Sequence, residues 1–548
     1  MTIKTDTLTN TTSNDSSRFL QTCSTITSDA IGIILFLLVM VFPLIFNDSY
    51  YDILETKYHA YRFCILILLC LLFLLSLGML CVDLKKFHGQ HTKNLLAKLL
   101  PSNWKTTFHA MDLAVLAFWM AAGISTLQSD FVSQAFWGNE GRYSGFLLIT
   151  LYMVSFFIIS HFWKFNRIFL ELFLISGMIL CLFGITDYFQ MDILHFRTNA
   201  EAVSAMQSFT STIGNINTYT AYVGMLSGLS AALFTLEKKP LKQIWYYLCL
   251  IISFFAIIMG RSDNAYLSLA ALFSLLPFIF FNNKEGIQKY LIIAASFFTV
   301  IEIINLLNRQ YAGIVLGLDG LYSFLNNSEC LFYMVLLLWG AAVMFHFYQR
   351  KHPDSLPIAN IPSRLTRIWG IFLLLSLFVV LLFFLDTNIG GHSERYGSLC
   401  RYLLFNDAWG SNRGYIWKQS AKLYANLPLL HKLFGSGPDT YGCLVNAMIS
   451  ADVKSVLGQY LDNAHNAFLQ YLVTIGIFGL IAYIAFLGTS FAALLKNRRK
   501  SPYIPAIVLA VTCYVFQSLV NLDVPVVTPI TWLLISIGIS GCRQLPDT

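Results

Sequence analysis

Fourteen apolar runs recur along the sequence, and each is about as long as a helix that crosses a bilayer. They fall near residues 29–46, 60–82, 110–127, 144–162, 166–187, 215–236, 243–260, 264–281, 289–306, 328–348, 367–386, 465–495, 503–520 and 526–542. Only 12% of the residues are charged and 56% are hydrophobic, whereas about a quarter of a soluble domain is charged. Lipid must therefore be the main solvent. The sequence predicts an all-α polytopic membrane protein with about 14 transmembrane helices.

The basic residues indicate which loops face the cytoplasm. Alternate loops, together with the N-terminal segment, hold 23 of the 36 lysines and arginines, and seven of the other 13 lie in one long loop. The positive-inside rule therefore predicts that both termini are cytoplasmic. The net charge of +7 follows from this topology and does not indicate a nucleic-acid partner. Residues 1–28 are rich in Ser, Thr and Asn and are predicted to form a disordered cytoplasmic tail.

One predicted outer loop, just before the twelfth helix, is about 78 residues long. Loops of that length without a role of their own are uncommon, so this extracytoplasmic segment is interpreted either as a structural lid or as part of a site. After the tail, the chain then divides into N-terminal helices, core helices with short outer loops, this large loop and C-terminal helices (29–127, 128–386, 387–464 and 465–548). Cys400 and Cys443 both lie in the loop, where a disulfide and two free thiols are equally open.

A polar cluster begins the twelfth predicted helix. If the helix includes residues 462–470, Asp462 and His465 lie near one face. A carboxylate three residues before an imidazole can fix its tautomer and raise its basicity, which favours acid–base catalysis. The alternative is that Asp462 caps the helix beside a solvated histidine.

The same segment carries a recognisable pattern. His465-Asn466, followed by Gly476, Gly479 and an apolar run, resembles the signature of the O-antigen ligase and polymerase superfamily. The turn that contains Gly437, Pro438 and Asp439 looks like the glycine-rich turn of that family's large outer loop. Further segments look like its arginine-bearing and outer-face elements, namely 413–417, 141–145, 214–217 and 260–262. In the last of these, the arginine and serine are exchanged relative to the family.

The resemblance implies a GT-C-like membrane glycosyltransferase in the bacterial cytoplasmic (inner) membrane. Such an enzyme transfers a glycan from a polyprenyl (undecaprenyl) diphosphate carrier to an acceptor hydroxyl on the extracytoplasmic face. A polymerase uses a second lipid-linked repeat as the acceptor, and a ligase uses a different glycan, lipid or other hydroxyl. The resemblance also implies an inverting reaction without a metal or another cofactor.

Individual residues suit that chemistry. Arginine binds phosphate through a bidentate fork and keeps its charge, so Arg142, Arg261 and Arg413 are predicted to bind the diphosphate. Asn215 and Asn217 begin the sixth predicted helix, whose free N–H groups suit an anion. His465, assisted by Asp462, is predicted to orient or deprotonate the acceptor hydroxyl. Alternatively, each arginine only extends its side chain to the membrane interface.

A transporter, for instance a lipid-linked oligosaccharide flippase, is the competing class. Alternating access favours ionisable residues near the middle of the membrane. The centres of the predicted helices are almost free of charge, with Glu171 and Glu302 as the main exceptions. The long outer loop and this lack of charge both favour the glycosyltransferase.

Overall fold

The computed structural model describes residues 3–47, 52–98, 100–193, 195–196, 208–281, 283–318, 320–322, 330–351, 361–458 and 460–545. Within these residues, the first half of the chain forms α1 (Ile3–Phe36), α2 (Ile53–Phe87), α3 (Gln90–Lys98), α4 (Trp104–Thr107), α5 (Ala110–Leu127), α6 (Val132–Trp137), α7 (Phe146–Phe162), α8 (Ile168–Tyr188), α9 (Ile216–Leu236), α10 (Pro240–Met259) and α11 (Ala265–Phe280). A two-stranded antiparallel pair, β1 (Phe209–Thr210) and β2 (Gly214–Asn215), precedes α9.

The second half forms α12 (Lys284–Gln310), α13 (Cys330–Lys351), α14 (Ile361–Asn388), α15 (Cys400–Leu403), α16 (Trp409–Asn426), α17 (Leu429–Phe434), α18 (Tyr441–Met448), α19 (Ser450–Leu457), α20 (Ala467–Thr474), α21 (Gly476–Lys496), α22 (Tyr503–Ser518) and α23 (Thr528–Gln544). Residues 352–360, part of a predicted cytoplasmic loop, lie outside the described residues.

Every predicted apolar run overlaps a helix in the described part of the chain. Ten helices there are long and apolar enough to cross a membrane, and α7, α11 and α22 are shorter apolar helices. The prediction of an all-α polytopic membrane protein is confirmed. The number of 14 spans and the GT-C likeness stay predictions.

The N-terminal segment differs from its prediction. The first helix already begins at Ile3, so the described part of residues 1–28 is helical and the prediction of a disordered tail is wrong. The Phe19 ring packs on Phe87 of α2 with ring centroids 5.1 Å apart, and Ser16 Oγ hydrogen-bonds the His91 ring. Composition did not predict this helix, because the residues that it packs on lie about 70 positions further along the sequence.

Helix α9 is the centre of the bundle. It packs against α10, α11 and α22. Of the residues in its most apolar stretch, 94% are buried, whereas none are buried in the most apolar stretch of α14. Small residues allow these close approaches: Gly224 lies against Ser268 of α11, and Gly228 lies against the backbone of Ala510 in α22. The N-terminus of this central helix therefore has a fixed position.

The twelfth predicted helix is interrupted. Its first residues form α20, and Asn466 is the N-cap, because the Asn466 side chain accepts the Leu469 N–H (2.9 Å). Gly476 then has φ +76°, where a Cβ atom would collide with the Leu433 carbonyl. The prediction of one continuous helix from residue 465 is therefore wrong. His465 precedes α20 and belongs to the end of the large loop.

The large loop folds into its own layer of short helices. Residues of α16, α18, α19 and the segment before α20 share a separate apolar cluster, which includes Tyr415, Leu423, Tyr441, Val445, Val453 and Leu461. The loop is therefore a packed unit, and it can hold side chains at fixed positions over the ends of the long helices.

Candidate active site

A cavity of about 1390 Å³ lies where the large loop meets the ends of α9, α10 and α11. Four of the predicted site residues line it: Asn217, Arg261, Arg413 and His465. They come from distant parts of the sequence, so the fold is what brings them together.

Arg413 reaches this cavity from a distorted turn at the start of α16. Gly410, Ser411 and Asn412 have φ values of +58°, +59° and +69°, and the regular helix continues from Arg413. Left-handed backbone at non-glycine residues is strained, and such strain is concentrated at functional sites. The Arg413 Nη1 atom donates to the Gly410 carbonyl (2.8 Å).

The rest of the Arg413 guanidinium is available to a ligand. Its Nε atom is buried and has no hydrogen-bond partner among the described residues. Burial lowers the pKa of Arg413, and the nearby Asp263 carboxylate opposes that shift. A buried donor without a partner is costly, and an anion bound in the cavity removes that cost.

Arg261 and Asn217 are positioned by the backbone around the ends of α9 and α10. Arg261 has φ +56° and turns the chain between α10 and α11. Ser262 Oγ donates to Asn217 Oδ1 (2.6 Å), so the serine of this motif orients the asparagine. Asn215 is the N-cap of α9, and its side chain accepts the Asn217 N–H (2.9 Å). Asn215 does not line the cavity, so of these two predicted asparagines only Asn217 faces it.

His465 is held by its backbone. It has φ +48°, and the Asn463 side chain accepts the His465 N–H (2.9 Å). Trp417 of α16 donates from Nε1 to the Ala464 carbonyl (3.1 Å) and so ties the arginine-bearing helix to the histidine segment. The imidazole itself forms no hydrogen bond to the described residues. Both of its nitrogens are therefore available in the cavity.

The same ring is neutral at pH 7. Burial, and then the positive charges of Arg413 and Arg142, lower the pKa of His465 to about 4. A neutral imidazole has a free lone pair and can accept a proton.

Asp462 and His465 do not lie on a common helix, although the helical pattern predicted it. Residues 462–466 are not helical, and the Asp462 carboxylate binds Arg142 through Nε (2.7 Å) and Nη2 (3.2 Å). Burial raises the pKa of Asp462, but the Arg142 guanidinium outweighs it, so the net pKa is lowered. The prediction that Asp462 and His465 share a helix face is wrong, because Asn466 caps a helix that starts after both. Arg142 lines a smaller neighbouring cavity and is separate from the other two predicted arginines.

The glycine-rich turn links the large loop to the segment that carries Arg142. Gly437 has φ +112°, and a Cβ atom there would collide with Ser129 and Ala135. Asp439 Oδ2 accepts the N–H groups of Asn139 (2.6 Å) and Ser144 (3.0 Å), and burial raises the pKa of this carboxyl to about 7.

Pro438 lines the smaller cavity beside Asp439. Gly435 of the same turn meets the break between α20 and α21, where a Cβ atom would collide with Thr474 and Ile475. The turn and the break at Gly476 therefore pack on each other, which explains why both need glycine.

Residues 312–484 match the family model described as O-antigen ligase. This match supports assignment of the chain to the O-antigen ligase and polymerase superfamily. The matched segment contains Arg413, the turn at Gly437 and His465. Arg261 and Asn217 precede it and reach the cavity only through the fold. No curated protein matches the chain.

The cavity also contains two charged residues that the sequence did not single out. Arg401 of α15 lies 3.7 Å from Asp263 (Nη2 to Oδ2), and both line the cavity. A signal existed for Asp263, because it follows Arg261 and Ser262 directly. No sequence signal singled out Arg401, because it is one of seven basic residues of the large loop and lies in no motif.

The two cysteines of the large loop are not joined. Cys400 and Cys443 are both free thiols and are partly buried. The loop is therefore held together by its apolar cluster and its hydrogen bonds.

Proposed function

We propose that this protein is a metal-independent, inverting membrane glycosyltransferase. It transfers a polyprenyl (undecaprenyl) diphosphate-linked glycan to an acceptor hydroxyl on the extracytoplasmic face of the bacterial inner membrane, as a surface polysaccharide ligase or polymerase. One observation carries the proposal: the neutral imidazole of His465 lines the same cavity as the guanidinium groups of Arg413 and Arg261. The O-antigen ligase match over the segment that contains two of these residues supports it.

The arginines bind the leaving group. A diphosphate gains negative charge as its bond to the sugar breaks, and fixed guanidinium donors stabilise that charge most strongly in a site that excludes water. The buried Nε of Arg413 is suited to this task, since it has no partner among the described residues. Arg261 and Asn217 supply a further charge and an amide in the same cavity.

His465 activates the acceptor. The acceptor oxygen attacks the anomeric carbon, and the bond from that carbon to the diphosphate oxygen breaks with its electron pair going to the diphosphate. His465 takes the proton of the attacking hydroxyl. A single displacement of this kind inverts the configuration at the anomeric carbon.

The donor tunes this base. In the empty cavity, burial and two arginine charges hold the pKa of His465 at about 4, which makes it a weak base. The diphosphate brings negative charge into the cavity beside Arg413 and offsets the effect of that arginine on the ring, so the pKa of His465 rises. The histidine therefore becomes a competent base only when the donor is bound.

Transfer by purified protein tests the proposal. Wild type and His465→Ala are incubated with a polyprenyl diphosphate-linked glycan and a hydroxyl acceptor, without added metal. Because a positioned base contributes about 10²–10⁴-fold, the variant should lose at least about 100-fold in turnover while it reaches the membrane in normal amounts. His392→Ala is the matched control, since this loop histidine hydrogen-bonds Asp386 and does not line the cavity.

Equal turnover by wild type and His465→Ala removes the histidine from the mechanism. Failure of wild type with every acceptor, combined with movement of the lipid-linked glycan across liposomes, supports the flippase instead.

A further inference from the structure

Arg401 and Asp263 form a loose ion pair on the cavity wall. The nearest atoms are 3.7 Å apart, which is longer than a hydrogen bond, and the two side chains are 60% and 43% exposed. An exposed pair in this geometry contributes little to stability. The pair is therefore easily separated, and its two members are free to find other partners.

The backbone beneath Arg401 is fixed, in contrast to its side chain. Asn388 at the end of α14 donates to the Leu403 carbonyl (2.8 Å) and accepts the Phe405 N–H (2.8 Å). Trp409 Nε1 donates to the Tyr402 carbonyl (2.9 Å). The long side chain of Arg401 can therefore move while its Cα atom stays at the cavity wall.

The charge of the cavity matches a diphosphate diester. Its described lining contains three guanidinium groups (Arg261, Arg401 and Arg413) and one carboxylate (Asp263). The excess of positive charge is then two, and a glycosyl diphosphate carries one negative charge on each of its phosphates. Without Arg401, the described lining has an excess of only one positive charge, which is too little to neutralise such a ligand.

We propose that Arg401 is a further diphosphate-binding residue, and that donor binding moves its guanidinium from Asp263 to the diphosphate. Asp263 then acts as a competitor that holds Arg401 in the empty cavity and receives it again when the product leaves. This inference rests on the function proposed above, because it adds a residue to the same site.

Binding of geranylgeranyl diphosphate to the purified full chain tests the inference, because this probe has the lipid and the diphosphate but no sugar. Arg401→Gln should weaken binding about 10-fold or more, the usual effect of losing one charge-assisted contact. Lys418→Gln is the matched control, because Lys418 pairs with Asp407 in the same loop but outside the cavity (2.8 Å). The control should bind like wild type.

Asp263→Asn should change the affinity for the probe in the opposite direction to Arg401→Gln. Removal of the competing carboxylate should tighten binding of the same probe, a gain that misfolding cannot produce. If wild type transfers glycan but neither Arg401→Gln nor Asp263→Asn changes the affinity for the probe, the inference is overturned. If wild type neither binds the probe nor transfers glycan, the proposed function itself fails.

Discussion

At the scale of single residues, His465 is surrounded by groups that disfavour its protonated form. Burial and the charges of Arg413 and Arg142 all lower its pKa, and only Asp462 opposes them. Because Asp462 is bound to Arg142, its opposing effect is small. The charge state of the ring therefore depends on what occupies the cavity.

The pH dependence of transfer should reveal this coupling. The kcat/KM profile reports groups of the free enzyme and the kcat profile reports those of the complex. Since the pKa of His465 in the free protein is about 4, kcat/KM should stay level from neutral pH down to about one unit above that value and then fall as the ring is protonated. The acid limb of kcat should lie at a higher pH, because the bound diphosphate raises the pKa. If the acid limbs of the two profiles coincide, donor binding does not raise the pKa of His465.

The residues that face the cavity were partly predictable. Asn217, Arg261, Arg413 and His465 carry their chemistry in the side chain and lie in motifs, so the sequence singled them out. The partner of Asp462 was not predictable. The predicted helix was extended beyond its true N-cap, Asn466. Arg142 lies 320 residues from Asp462 in the sequence, so the pair leaves no periodic signal.

At the scale of elements, one carboxylate joins two loops. Asp439 accepts two backbone N–H groups from the segment that carries Arg142, so the glycine-rich turn fixes that segment against the large loop. The contact spans about 300 residues of sequence. The turn is thus a positioning element for Arg142, and through it for Asp462.

Loss of this carboxylate should destabilise the protein. Asp439→Ala leaves two partly buried N–H groups without their acceptor, at up to about 1–3 kcal/mol for each, and should lower the melting temperature of the detergent-solubilised protein by several degrees. Asp439→Asn should be milder, because its amide oxygen still accepts. Asp452→Ala is the control, an exposed acidic residue of the same loop. A melting temperature for Asp439→Ala equal to that of the control refutes the positioning role.

The long helices were predictable because apolar length is a strong signal. One error occurred where local backbone geometry interrupts a helix, as at Gly476. Another occurred where a polar segment is stabilised by residues distant in the sequence, as Phe19 is by α2 and Ser16 by α3. The helices α18 and α19 of the large loop also lay beyond the pattern, since they are short and depend on a shared apolar cluster.

At the scale of the whole molecule, the proposed orientation places the cavity on the extracytoplasmic side. The loop 83–109 carries Lys85, Lys86, Lys93, Lys98 and Lys105, whereas the large loop bears the site residues. By the positive-inside rule, these two segments are predicted to lie on opposite sides of the membrane.

Cysteine labelling in intact cells tests that orientation. In a background without the native cysteines, Ser455→Cys in the large loop should react with a membrane-impermeant thiol reagent, because Ser455 is exposed. Ser102→Cys, at an exposed position of the 83–109 loop, should react only after permeabilisation. The reverse pattern means that the topology is inverted.

The origin of the cavity walls has a consequence for biogenesis. The described walls come from segments near residues 216, 261–267, 318, 320–321, 398–413, 465 and 520. A chain is made from its N-terminus, so these segments emerge in that order, and the residues proposed to bind the diphosphate are synthesised before His465. A partly inserted chain therefore has no complete transfer site. The final stage of membrane insertion is the step at which the proposed activity can first arise.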